Sequence, residues 1–264
     1  MGDESRGIIT KEIRRSVLMA SLKKGKRFDE RAFDEYRKAE VTTGVINTAE
    51  GSALARIGRT QVLVGVKIGM ATPFADRPDE GIFMTNSELL PLASPTFEPG
   101  PPSEQSIELA RVVDRGIRSA EVIDTKKLFV EEGKVLSVFV DIYVLDHLGN
   151  LTDTAALAAI AALKTTNMPK VENGKIIYKE SVGRLEIGAL PVCASFIKVG
   201  NNWLVDPLLE EEDAAETSLT IATTEKHVCA VQKRQGFMSS AEFLSNVDIA
   251  FKRGKELRSL VADL

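Results

Sequence analysis

The stretch Ser137 to Lys164, SVFVDIYVLDHLGNLTDTAALAAIAALK, decides how the rest of the chain is organised. Ser137 to Leu145 is a β-branched and aromatic run with too few polar positions for a one-sided sheet, which predicts a buried strand. Asp146-His147-Leu148-Gly149-Asn150 interrupts the run with loop chemistry. Thr152 or Asp153 can cap the helix that follows, and Ala155 to Leu163 holds no charge at all. A helix apolar on nearly every side belongs in the middle of a fold. Its first amides, at Leu151 to Thr154, lack intrahelical partners and attract anions. The junction therefore reads either as a phosphate site or as a plain strand–loop–helix core unit.

Working outward towards the N-terminus, residues 10–24 predict a helix with Ile13, Val17, Leu18 and Leu22 on one side, ended by Gly25. Residues 28–37 (FDERAFDEYR) read as a charged surface segment pinned by Phe33 and Tyr36. Strands are expected at 40–47, 52–57 and 60–68, the last two joined by a turn at Gly58-Arg59. Residues 81–93 form an extended segment that Pro91 confines to an edge or ends. The Pro/Gly loop at 97–103 launches a helix over 104–120, and a hairpin around Glu132-Gly133 leads back into the central stretch.

Beyond that stretch, Asn173-Gly174 predicts a small hairpin, and strands follow at 190–199, 203–205, 218–223 and 227–232. The capping box Ser239-Ser240-Ala241-Glu242 opens a closing helix to about Val261. Two runs of strands, each followed by helices, make an α+β layout.

The 264 residues and 28.8 kDa suffice for one large domain or two intimately packed ones. A net charge of −4 argues against nucleic-acid binding over the whole surface but leaves room for a local basic stripe. No stretch is apolar and long enough to span a membrane and no secretory signal opens the chain, so the expected setting is cytoplasmic. Cys193 and Cys229 lie in strand-like runs as small core residues, and nothing has metal-ligand spacing.

Two further features bear on chemistry. On the 104–120 helix, Arg111, Arg115 and Arg118 fall within about 60° of one another, a fork-shaped grip suited to phosphates. Glu108 and Asp114, each about a turn earlier, offer the alternative of a salt-laced solvated face. After Trp203 comes an acidic run, Asp206 and Glu210 to Asp213, which reads as a magnesium site or as a solvated loop.

Ala49-Glu50-Gly51-Ser52 and the segment Ile57 to Leu63 (IGRTQVL) are where a family becomes visible. The chain resembles the RNase PH family of phosphorolytic exoribonucleases from about Arg27 to about Ala262. Pro78-Asp79-Glu80-Gly81, Glu98-Pro99-Gly100-Pro101-Pro102, Glu108 to Arg115 (ELARVVDR) and Trp203-Leu204-Val205-Asp206-Pro207 are similar to one branch, the non-catalytic RNase PH-like subunits of the archaeal exosome. The resemblance implies an RNase PH-like fold of two βα units (ribosomal protein S5 domain 2-like) sharing one core. It implies a helical extension over 1–26, an N-terminal RNase PH-like domain over 27–168, a hairpin linker over 169–189 and a C-terminal domain over 190–264.

It also implies partners. Three copies alternate with three copies of a catalytic RNase PH-like subunit in a hexameric ring, capped by RNA-binding subunits. Single-stranded RNA threads the ring and is shortened by phosphate from its 3′ end.

Set against active members, the chain departs at four places. The Gly-Gly-Thr-Arg-like phosphate loop stands here as Leu148-Gly149-Asn150-Leu151, forfeiting a charge-assisted contact of roughly 1.5–3 kcal/mol. Asp206 matches the first of two aspartates spaced six apart, but Glu212 stands at the second. The position of the active members' third acid falls near Ser218, and their arginine pair at the helix start appears as Glu104-Gln105. The resemblance thus implies no catalytic residue, no metal and no cofactor, with Arg111 and Arg115 as RNA contacts. The alternative is a degenerate but working nuclease that uses Asp206 and Glu212.

Overall fold

β-Branched runs broken by short turns build the first sheet. In the computed structural model, which describes residues 15–264, the strands β1 (Ala39–Thr43), β2 (Gly51–Ile57) and β3 (Thr60–Ala71) form an antiparallel meander. The long strand β6 (Lys134–Asp146) pairs antiparallel with β3 and parallel with β4 (Ile82–Leu89), giving the order β1-β2-β3-β6-β4. The short strand β5 (Phe129–Glu131) pairs with one end of β6. β4 lies at the edge and ends at Leu89, two residues before Pro91.

β6 is less uniformly buried than its composition predicts. Val138, Val140, Ile142 and Val144 are buried on one face, while Phe139, Asp141 and Tyr143 on the other are half-buried. Large side chains on the outer face make a two-faced strand look continuous in sequence.

The inner face packs on α3 (Leu151–Lys164), which is buried from Asp153 to Leu163. Its six alanines between Ala155 and Ala162 let strands approach closely. At Gly51 of β2, an added Cβ would lie 2.4 Å from the Ala162 carbonyl oxygen, so the strand tolerates no side chain there. The other side of α3 meets a second antiparallel sheet in the order β10-β9-β11-β12, formed by β9 (Val192–Val199), β10 (Asn202–Val205), β11 (Thr217–Thr223) and β12 (Val228–Lys233). One apolar cluster joins Val64 and Val140 of the first sheet, Leu157 and Ile160 of α3, and Val192 and Ala222 of the second. The two strand groups share a core through this helix.

α2 (Glu104–Ser119) lies across β4 and α3 and reaches β12 with its other side. Ser103 caps it by accepting from the Ser106 amide. The closing helix α5 (Ser240–Ala262) starts at the expected capping box and covers β9 and β11. β7 (Asn167–Glu172) and β8 (Lys175–Arg184) form the hairpin, with Asn173 and Gly174 both at positive φ. The first helix, α1, spans 15–22 and buries Leu18 and Leu22 against Ile197, Val199 and Leu204. The part of its expected range before residue 15 lies outside the described residues.

Two expectations are corrected. The acidic run is not a solvated loop, since residues Leu209–Asp213 form the short helix α4 and Glu211 is buried. Nor is 28–37 merely a surface segment, because its arginines point inward, as described next.

Candidate functional site

The junction before α3 is held shut from within. Arg37 Nη1 donates to the Leu148 carbonyl at 2.9 Å, and Thr60 Oγ1 donates to the Gly149 carbonyl at 2.7 Å. Gly149, at φ +90, lies so close to the segment after Asp206 that an added Cβ would meet the Pro207 carbonyl oxygen at 2.4 Å. The two loops that carry active-site groups in the resemblance are thus packed directly on each other.

The helix begins at Asn150, not at Thr152 or Asp153. Asn150 has a left-handed backbone (φ 56, ψ 50) and caps no amide with its side chain. Its Nδ2 instead donates to Asp206 Oδ1 at 2.6 Å and to Asp153 Oδ2 at 2.8 Å. Its backbone N–H donates to Glu212 Oε1 at 2.8 Å. A protein carboxylate therefore accepts from the amide at the helix start, where one of the two sequence readings placed a phosphate.

Asp206 is fully enclosed. Its carboxylate accepts from the Arg37 amide (2.9 Å), Arg37 Nε (2.8 Å), Arg37 Nη2 (2.7 Å), Arg31 Nη1 (3.0 Å) and Asn150 Nδ2 (2.6 Å). Burial alone would raise its pKa, but the bonds and charge of Arg37 outweigh it and hold the carboxyl below its ordinary value. A divalent cation does not fit here, because the lone pairs are taken and two guanidiniums face the site.

Nearby, Glu211 forms a bidentate pair with Arg27 (Nε to Oε1 3.0 Å, Nη2 to Oε2 2.5 Å), both side chains fully buried. Arg27 Nη1 also donates to the Val205 carbonyl at 2.8 Å. Arg27, Arg31 and Arg37 thus pin the segment around Asp206.

Two other acids carry raised pKa values. Asp153 accepts from Tyr36 Oη (2.6 Å), Ser195 N (2.9 Å) and Ser195 Oγ (2.7 Å) besides Asn150. Burial still pushes it up to about 6, with those hydrogen bonds pulling back. Glu212 keeps a margin of surface, yet protein packed around its carboxyl pushes it to about 7, only partly offset by the Asn150 amide, Arg234 and Arg37. Glu212, Asn150 and Ser218 line a cavity of about 210 Å³.

The α2 face is open by contrast. Arg111 is exposed and has no ion-pair partner among the described residues, because Glu108 turns away to pair with Arg234 at 2.7 Å. Arg115, also exposed, donates to Gln232 Oε1 at 2.7 Å. Arg118 is committed: its Nε donates to Asp114 at 2.7 Å, its Nη2 donates to the Phe83 carbonyl, and its guanidinium lies 5.0 Å from the Phe83 ring centroid. Glu104, Ile107, Arg111, Arg115 and Gln232 line an open groove of about 380 Å³.

So one arginine of the three-residue stripe is withdrawn by its own neighbours, and one of the two expected salt bridges does not form. Sequence reasoning missed Arg27, Arg31 and Arg37, and it missed Asp153 as a buried acid. The signal available was charge itself, three arginines within eleven residues that also hold three aromatics, a pattern that equally fits a solvated loop.

Residues 35–169 match the 3′ exoribonuclease family, domain 1, and residues 189–253 match its domain 2. The chain belongs to the 3′ exoribonuclease family. It is 48% identical over 258 residues to the exosome complex component Rrp42 of Thermococcus gammatolerans, covering 95% of this chain and 94% of that protein. Its structure superimposes with a TM-score of 0.88 and 48% identity on a chain of the Archaeoglobus fulgidus exosome with RNA bound to the active site, covering 95% of this chain and 98% of the other. A chain of an archaeal exosome core gives a TM-score of 0.84 at 44% identity, covering 95% and 96%. The RNase PH-like fold is therefore that of exosome-core relatives within the family.

Proposed function

We propose that this chain is a non-catalytic subunit of an archaeal-type exosome ring, which degrades RNA from 3′ to 5′. In this reading it supports the active site of a catalytic RNase PH-like partner and lends Arg111 and Arg115 to the RNA path. Three copies alternate with three of the partner under RNA-binding cap subunits, and the setting is cytoplasmic. The relatives carry the exosome name, and one neighbour's title describes RNA in the active site of the complex. The observation that carries the reading is the contrast at the two basic sites. Asp206 spends its whole carboxylate on Arg31, Arg37 and Asn150, whereas Arg111 stands exposed beside an open groove.

The arrangement assigns plain physical roles. Two exposed guanidiniums one turn apart can each bridge successive phosphates of a single strand, binding without reading sequence. The sealed junction ties the loops around Gly149 and Asp206 to each other, which suits a scaffold.

One feature favours the enzyme reading: Glu212, with a pKa raised to about 7, borders a cavity and could exchange a proton near neutral pH. The experiment that separates the two readings uses the purified full chain with RNA, magnesium and inorganic phosphate. No release of nucleoside diphosphate is expected from the chain by itself, and release on addition of the catalytic partner. Turnover by the isolated chain would establish it as the enzyme.

A further inference from the structure

The turn between β12 and α5 holds an aromatic ring out in solvent. Phe237 is 93% exposed, although burying such a side chain stabilises a fold by roughly 1.5–3 kcal/mol. Its backbone is firmly placed. Gly236, at φ +71, is pressed so tightly on the neighbouring strand that an added Cβ would meet the Glu216 carbonyl oxygen at 2.2 Å. Thr217 Oγ1 donates to the Phe237 carbonyl at 3.2 Å, and Gln235 Nε2 donates to the Ala215 carbonyl at 3.0 Å. Ser239, two residues on, caps α5. The ring is presented on a pinned turn, with Lys233 Nζ 6.0 Å from its centroid.

Lys233 stands over the ring, and the α2 groove carries the exposed Arg111 and Arg115. Phe237 follows Arg234 by three residues, on the segment that leads on from Gln232, which lines the α2 groove. Arg234 Nε meets Glu108 of α2 at 2.7 Å, and Gln232 meets Arg115 at 2.7 Å. In the same groove Ile107 is 49% exposed. Single-stranded nucleic-acid sites pair a cationic groove for the backbone with an aromatic face for the bases, and here the segment from Gln232 to Phe237 runs from the groove wall to the ring. A protein partner is the poorer match, since the centres of protein interfaces are depleted in charge while Lys233 stands over this ring.

We propose that Phe237 is a base-stacking platform for single-stranded RNA whose phosphates run along Arg111 and Arg115. This rests on the RNA-binding reading above and adds a residue that the reading does not require. The test measures affinity of the ring, assembled from the full chain and its catalytic partner, for fluorescent oligoadenylate and for an abasic strand of the same length. Phe237→Ala and Phe237→Leu should each weaken oligoadenylate binding by about five- to tenfold, the scale of one lost base stack. Phe237→Trp should restore it. Affinity for the abasic strand and the salt dependence should not change, whereas Arg111→Glu with Arg115→Glu should weaken binding of both strands.

Unchanged oligoadenylate affinity in both Phe237 variants would overturn the stacking proposal while leaving the arginines in place. Failure of Phe237→Ala to assemble, with Phe237→Leu binding RNA normally, would make the residue a subunit contact and overturn it too. Unchanged binding in the arginine variant would instead remove the RNA-binding reading itself.

Discussion

Two arginine groups in this molecule do opposite things. Arg27, Arg31 and Arg37 point inward and spend their donors on Glu211, Asp206 and loop carbonyls. Arg111 and Arg115 point outward along α2. Both groups lie where the resemblance places nucleic-acid or phosphate chemistry, yet only the outer group has donors to offer. A guanidinium already facing a buried carboxylate is electrostatically spent; an exposed one attracts phosphate at a distance. The number of arginines near a suspected site therefore says little until their partners are known.

The comparison is broken most severely at Asp206. Asp206→Asn leaves Arg37 without its counter-charge in a buried setting, while Arg31 keeps Asp29, and should lower unfolding stability by about 3 kcal/mol, read by urea denaturation. Turnover per assembled ring should stay unchanged, because this carboxylate holds loops together. A loss of several orders of magnitude in a correctly assembled ring would make it catalytic. Next in size, Arg111→Glu with Arg115→Glu should weaken RNA binding by about 100-fold at low salt and cut the salt slope by about 2, with unfolding stability unchanged.

Glu212 supplies a pH test. Its folded pKa, about 7, stands above the ordinary value of 4.5, so the folded state binds the extra proton. That contribution is complete at low pH and is lost as pH rises through the window from 4.5 to about 7. Asp153, raised from 3.8 to about 6, acts in the same direction. Glu212→Gln should therefore flatten the fall in stability between pH 5 and 8, gaining on the order of 1–2 kcal/mol at the upper end. A thermal-melt series over pH reads the effect; an unchanged slope would mean Glu212 stays ionised and solvated. The smallest change is expected at Arg118. Arg118→Ala removes the Asp114 pair and the contact with the Phe83 ring, together about 1 kcal/mol or less, and should leave RNA affinity untouched.

Most of the fold was legible because its signals are local. Alternation placed β2 and β3, Asn173-Gly174 placed the hairpin, and Ser239 with Glu242 placed the start of α5. The apolar run from Ala155 to Leu163 announced a central helix, and its position between two sheets follows from having no polar face. What failed depends on partners distant in sequence. Whether Asp206 is a metal ligand or a buried anchor turns on Arg37, 169 residues away. Whether Arg111 pairs with Glu108 turns on Arg234, which takes that acid from 126 residues away. Asn150 as the helix start was hidden for another reason. Asn is a favoured cap residue, but here its backbone is left-handed and its side chain bonds two carboxylates instead of a helix amide.

The division of labour between the two arginine groups meets its most direct test in one assay. Phosphate-dependent release of nucleoside diphosphate is measured for rings carrying either Arg111→Glu with Arg115→Glu or Glu212→Gln in this chain. Release should collapse in the first ring and match the unmodified ring in the second. The reverse pattern, with activity lost through Glu212 and kept without the arginines, would contradict a non-catalytic, RNA-guiding subunit.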